Sequence, residues 1–160
     1  MNTATTSPVL KIGSQGAAVK ELQTLLNQYV YSAAMGDRLV VDGIFGAKTE
    51  DRVKTAQYRY LLQRDGVVGA QTWQALKTNT APIATKPALR RGSTGVEVEI
   101  AQTVLKDGGY YKSTVDKTFG QNTETAVRSF QHDRQLQVDG VIGLKTWQAL
   151  ETLATFLTFD

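Results

Sequence analysis

The sequence predicts an all-α protein made of two tandem small three-helix bundles, with Asp-Gly turns between the helices. Three observations predict it. One short pattern recurs four times: Asp, usually Gly, any residue, an apolar residue, Gly, any two residues, Thr. The copies begin at Asp42, Asp65, Asp116 and Asp139, so the two within each half lie 23 residues apart and the halves are offset by 74. Between the turns, apolar residues recur at helical spacing, three or four residues apart. Repetition of this kind, in units of about 70 residues, favours two similar bundles over one ordinary domain.

Residues 1–9 form a lead-in. The chain then turns at Leu10-Lys11-Ile12-Gly13-Ser14-Gln15-Gly16, and Val19, Leu22, Gln23, Leu25, Leu26 and Tyr29 mark the first helix. A longer connection, punctuated by Gly36-Asp37, leads to the first Asp-Gly turn. The second helix is expected from about Ala47 to Gln63, with Val53, Ala56, Gln57, Tyr60 and Leu61 as its apolar stripe. The second turn launches a short third helix carrying Trp73 and Leu76. The first domain is thus 10–78. Residues 79–88, with Pro82 and Pro87, read as a linker that could extend in a polyproline-like form.

The second domain, 89–160, repeats the plan. Leu89-Arg90-Arg91-Gly92-Ser93-Thr94-Gly95 matches the first lead-in turn. Val98, Ala101, Gln102, Val104 and Leu105 match the first helix. A helix from about Gln121 to Arg134 carries Val127, Phe130 and Gln131. The last helix, with Trp147, Leu150, Leu153, Ala154 and Leu157, is expected to run about two turns longer than its counterpart.

Each Asp-Gly turn has a structural purpose. An aspartate accepts backbone N–H bonds within its own turn, and glycine tolerates positive φ. The apolar residue, Phe45 or Phe119 for instance, can plug the core. Its use at two corners of each bundle suits a folding device better than a ligand site. Lys117 breaks the third Asp-Gly pair, so either that position needs no positive φ or the lysine touches something. Gln23, Gln57, Gln102 and Gln131 stand on otherwise apolar faces, where an unpaired amide costs roughly 1–3 kcal/mol; each should be tied to a loop. Trp73 and Trp147 read as core.

Composition limits the chemistry. There is no cysteine, and His132, on the helix flank that Tyr58 occupies in the first half, is the only histidine. Disulfides, thiolate catalysis and a multi-histidine zinc site within this chain are excluded; no metal or other cofactor is expected. The net charge is +3 without a dense basic stripe, which argues against nucleic acid as partner. No apolar run could cross a bilayer. Residues 1–8 lack the basic and apolar regions of a signal peptide. No catalytic constellation emerges: Asp42, Glu50, Asp116 and Glu124 offer carboxylates, but both glutamates sit on first helical turns, where the helix dipole accounts for them.

Both halves resemble the three-helix peptidoglycan-binding domain found beside bacterial cell-wall hydrolases and in phage lysins. The matching elements are Leu-x-x-Gly-x-x-Gly-x-x-Val at 10–19 and 89–98, Leu22-Gln23 (Ala101-Gln102 in the second half), Asp42-Gly43-x-Phe45-Gly46-x-x-Thr49, Phe130-Gln131, and Asp139-Gly140-x-x-Gly143-x-x-Thr146. The likeness covers roughly 10–78 and 89–153. Ala56-Gln57 departs from the Phe-Gln usual in the family. The resemblance implies noncovalent attachment to peptidoglycan, by glycan strand or stem peptide, and no reaction. It implies a cell-wall or periplasmic location, with the cytoplasm left open by the missing signal. Two alternatives stand beside it: a protein–protein adaptor that kept the fold, and the targeting fragment of a cell-wall hydrolase.

The groove beside the first Asp-Gly turn and second helix is the expected contact surface. That points to Asp42, Phe45, Arg52 and Tyr58 in the first half, and Asp116, Lys117, Arg128 and His132 in the second. Tyr29, Tyr31, Tyr110 and Tyr111 are further candidates for stacking on sugar.

Overall fold

The computed structural model describes residues 6–28 and 38–159. Tyr29, Tyr31 and Gly36-Asp37, singled out in the sequence, lie outside the described residues. Among the described residues six α-helices follow one another: α1 (Ala17–Gln28), α2 (Ala47–Arg59), α3 (Ala70–Thr78), α4 (Val96–Asp107), α5 (Gln121–Asp133) and α6 (Leu144–Phe159). Isolated β-bridges, Leu10 to Val68 and Gln15 to Ile44, pin the lead-in segment to the two turns of the first half. Leu89 to Ile142 and Thr94 to Thr118 repeat them in the second. The expected all-helical pair of three-helix bundles is observed.

Periodicity explains which faces are buried. Val19, Leu22, Gln23 and Leu26 on α1 point inward, as do Val98, Ala101, Gln102 and Leu105 on α4. Phe45 and Phe119 fill the same place in each core, both 1% exposed. Each is clamped by the lead-in turn: Phe45 N–H donates to Ser14 O, and Phe119 N–H to Ser93 O, both at 2.9 Å.

One helix end differs from the sequence expectation. Helix α2 stops at Arg59, four residues before Gln63. Leu61 adopts φ 55°, its N–H bonding Tyr58 O at 3.1 Å while Leu62 N–H bonds Gln57 O at 2.8 Å. That is a Schellman ending with leucine where glycine is usual. Gln135 ends α5 in the same way, at φ 56°. A left-handed leucine costs roughly 1–2 kcal/mol; complete burial of the Leu61 side chain offsets it.

The linker, which its composition would allow to extend, is packed. Ala81 and Ile83 are buried, and Ile83–Thr85 forms a 3₁₀ turn against α6. Lys86 Nζ meets Glu97 Oε2 at 2.6 Å, and Trp147 Nε1 donates to Pro87 O at 2.8 Å. The halves also touch through helices. α6, 16 residues against the 9 of α3, carries its extra turns onto α2, where the Arg59 guanidinium lies 5.7 Å from the Phe159 ring centre.

Lys117 settles the question its position raised. It keeps φ 64°, close to the 76°, 74° and 72° of Gly43, Gly66 and Gly140. The turn therefore demands the left-handed conformation, and the lysine bears the strain. Its ammonium pairs with Glu99 at 3.2 Å on an exposed surface, which compensates little. Lys117→Gly should raise stability by about 1 kcal/mol, read as a higher urea midpoint. An unchanged or lower midpoint would mean the pair matters more than the strain. The reverse exchange at Gly140 should be costly, because a Cβ there would sit 2.9 Å from Glu124 Cγ.

Candidate functional site

The four turns share one hydrogen-bonded unit. In the first, Gln23 Nε2 donates to Asp42 Oδ1 at 2.9 Å, Ile44 O at 3.1 Å and Thr49 Oγ1 at 3.3 Å, while Gln23 Oε1 accepts from Gly43 N–H at 2.9 Å. Asp42 Oδ1 also accepts from Ile44 N–H at 2.9 Å. Gln57 does the same for Asp65, Val67, Gly66 and Thr72. Gln102 does so for Asp116, Thr118, Lys117 and Thr123, and Gln131 for Asp139, Val141, Gly140 and Thr146. All four glutamines are at most 1% exposed. A primary amide is the right group here, since it donates and accepts from one plane. The Asp, Gly and Thr of the repeated pattern are therefore the partners of one buried glutamine each.

This scaffold holds open a groove beside the first turn of each half. The first, about 600 Å³, runs along the start of α2 and is lined by Arg38, Val40, Asp42, Ile44, Lys48 and Arg52, among others. Its outer wall is fixed by Asn27, whose amide exchanges two hydrogen bonds with the backbone of Leu39 at 2.9 and 2.8 Å. The second, about 480 Å³, runs along the start of α5 between Ser113, Thr114, Asp116, Thr118, Gln121 and Asn122. Tyr111 closes its base, donating to Thr114 O at 2.8 Å.

A profile of the family described as "Putative peptidoglycan binding domain" matches residues 15–76 and 94–150. The chain belongs to the peptidoglycan-binding domain family, in two tandem copies. It is 28% identical over 155 residues to the N-acetylmuramoyl-L-alanine amidase CwlM of Mycobacterium tuberculosis, an alignment covering 91% of this chain and 38% of that protein. It is 38% identical over 76 residues to the spore cortex-lytic enzyme of Bacillus subtilis, covering 47% of this chain and 25% of that one. The chain thus spans less than half the length of these curated relatives. Among solved structures, the SleB N-terminal domain is 38% identical with a TM-score of 0.43, covering 44% of this chain and 96% of that domain.

Within this peptidoglycan-binding tandem the residues expected at the contact surface separate. Asp42 and Arg52 line the first groove, and Asp116 lines the second. Phe45 does not: it is a core side chain, because the apolar position of the turn points inward. Tyr58 and Lys117 line a separate cleft of about 340 Å³ between the halves, with Arg64, Glu99 and Ile100. The Tyr58 hydroxyl is buried, and burial, then the charge of the neighbouring Asp107, pushes its pKa up. It offers no sugar-stacking face beside the first groove. Arg128 serves the second turn of its half, donating to Val138 O at 3.1 Å and to Glu124 at 3.3 Å. His132 stands exposed beside Asp133. Tyr110 donates to Asp133 at 3.1 Å and sets its ring edge-on to Phe130, and Tyr111 is buried. Motif reading missed Arg38, Val40, Ile44 and Lys48 in the first groove, and Ser113, Thr114, Thr118, Gln121 and Asn122 in the second, because they occupy the variable positions around the repeated ones.

The turn aspartates give the molecule an acid limit. The glutamine hydrogen bond, then the backbone N–H bond, lowers the pKa of Asp42 and of Asp116 below the ordinary 3.8. For Asp139 the Val141 N–H leads and Gln131 follows. A carboxyl whose folded pKa is depressed stabilises the fold fully above its unfolded value and loses that contribution as pH falls through the folded value. Tm should therefore stay level from about pH 7 to about pH 5 and drop progressively below about pH 4. A Tm that holds level well below pH 4 would show that these bonds do not favour the ionised form.

Proposed function

We propose that this chain is a non-catalytic anchor that holds peptidoglycan noncovalently, with one groove per half as the contact surface and Asp42, Arg52 and Asp116 among the contacting residues. The observation that carries this reading is the duplication of an open groove at the same corner of two family domains, each groove held by its own glutamine-centred turn. Two weak sites on one compact body gain avidity on a polymer that repeats its epitope. A cell-wall or periplasmic setting follows from such a ligand.

The test is co-sedimentation of the full chain with purified sacculi. The protein should pellet with the wall, and a suspension of the same sacculi should keep its turbidity. Protein left in the supernatant at low salt would refute the anchor, and falling turbidity would refute the non-catalytic assignment. The greater length of the relatives, which are named as amidases and cortex-lytic enzymes, favours a second reading. In it the same tandem is the targeting part of a hydrolase.

A further inference from the structure

The two grooves are built at the same place but not from the same chemistry. Residues 74 positions apart are equivalent, because Asp42 and Asp116 occupy the same turn and accept from the same glutamine. At that offset Val40 becomes Thr114, Ile44 becomes Thr118, Lys48 becomes Asn122 and Arg52 becomes Ala126. The first groove thus presents three cations, Arg38, Lys48 and Arg52, against two carboxylates, Asp42 and Asp51. It also presents exposed alkyl surface, Val40 at 75% and Ile44 at 52%. Among the described residues no lysine or arginine lines the second groove; Lys112, the counterpart of Arg38 at the same offset, is exposed between Tyr111 and Ser113, so the cations that differ are Lys48 and Arg52. The second groove's one charge is Asp116, among hydroxyls and amides: Ser113, Thr114, Thr118, Gln121 and Asn122.

We infer that the grooves divide the wall polymer between them: the first takes a peptide bearing free carboxylates and alkyl side chains, the second an uncharged, hydroxyl-rich run of N-acetyl sugar. This rests on the anchoring reading above and deepens it. Cations with adjacent alkyl surface suit an acidic peptide of small apolar residues, because charge-assisted bonds fix the carboxylate while the alkyl groups cover each other. A free side-chain amine of the peptide finds Asp42 and Asp51. In the second groove Asp116 repels a carboxylate. The surrounding hydroxyls and amides both donate and accept, which matches sugar hydroxyls and N-acetyl groups. The same distinction governs salt response: the first groove's binding is screened, the second's is not.

The test uses the full, isotope-labelled chain and two soluble probes, a free wall tetrapeptide with its carboxylates and a neutral tetramer of N-acetylglucosamine, followed by amide NMR. The peptide should shift resonances within 38–52, and weakly or not at all those within 111–123; the sugar should do the reverse. Added salt should weaken only the peptide. The double variant Ile44→Thr/Lys48→Asn installs in the first groove the residues that the second already carries on the same turn. It should weaken the peptide about tenfold and leave the sugar shifts in place, and Lys48→Asn alone should give a smaller loss of the same kind. Both probes shifting both grooves alike, neither probe shifting either groove, or peptide affinity unchanged in both variants would overturn the division. Sacculus co-sedimentation of the wild type separates the two levels. Sedimentation alongside any of those results removes the division and keeps the anchor; no sedimentation removes the anchor.

Discussion

Gln131→Leu should lower the stability of the second half by about 3–5 kcal/mol, seen as a large drop in the urea midpoint with little change in slope. Leucine matches the apolar surroundings, so loss of packing is not the cause. The loss comes from what the amide leaves behind. Gly140 N–H and Asp139 N–H lose their acceptor, at 2.9 and 3.1 Å, and Val141 O and Thr146 Oγ1 lose their donor. Of these groups those of Gly140 and Thr146 are buried, where each orphaned one costs roughly 1–3 kcal/mol, while Asp139 and Val141 keep some access to water. A bundle of this size has only a few kcal/mol in reserve, so the second half should be largely unfolded under mild denaturant. Gln131→Glu would keep the acceptor side but set a buried carboxylate oxygen 2.9 Å from both Asp139 Oδ1 and Val141 O, and should cost at least as much as Gln131→Leu. A midpoint unchanged in Gln131→Leu would show that water replaces the amide at no cost.

That unit also explains what could and could not be read from the chain. Asp42, Thr49 and Gln23 are legible as a set because one buried amide demands the same partners at every corner, and the demand fixes residue type and spacing. Leu61 and Lys117 are different. Both sit at positive φ without glycine, so the local signal is absent and burial, or the rest of the turn, imposes the conformation. Tyr58 occupies a helix flank that looks solvent-facing in a single bundle; only the extra turns of α6 and the neighbouring α4 cover it. Packing between two repeats leaves no period in either. The groove chemistry was present in the sequence, at the offset of 74, but it lies in the residues that differ between halves. Attention to the shared pattern passes over them.

Trp147→Ala should cost about 3–5 kcal/mol and should change more than the core. Trp147 is 1% exposed, and its ring is the surface on which the linker is fixed. Its Nε1 holds Pro87 O at 2.8 Å, and Lys86 Nζ stands 4.8 Å from the ring centre while pairing with Glu97. Trp73 holds Pro8 O at 2.7 Å in the same way, so in both halves the tryptophan ties down the segment that leads into the bundle. In the second half that segment is also the connection between the halves. A tied linker fixes the separation of the halves; on the anchoring proposal, a loose one lowers the effective concentration of the second groove once the first is filled. Trp147→Phe separates the two effects. It keeps most of the packing and loses the hydrogen bond, about 1 kcal/mol. It should speed amide exchange at Leu89, whose N–H otherwise bonds Ile142 O at 3.0 Å, and weaken retention on sacculi more than it lowers Tm. Equal exchange rates at Leu89 in Trp147→Phe and wild type would mean that α6 and α2, not the tryptophan, hold the halves in place.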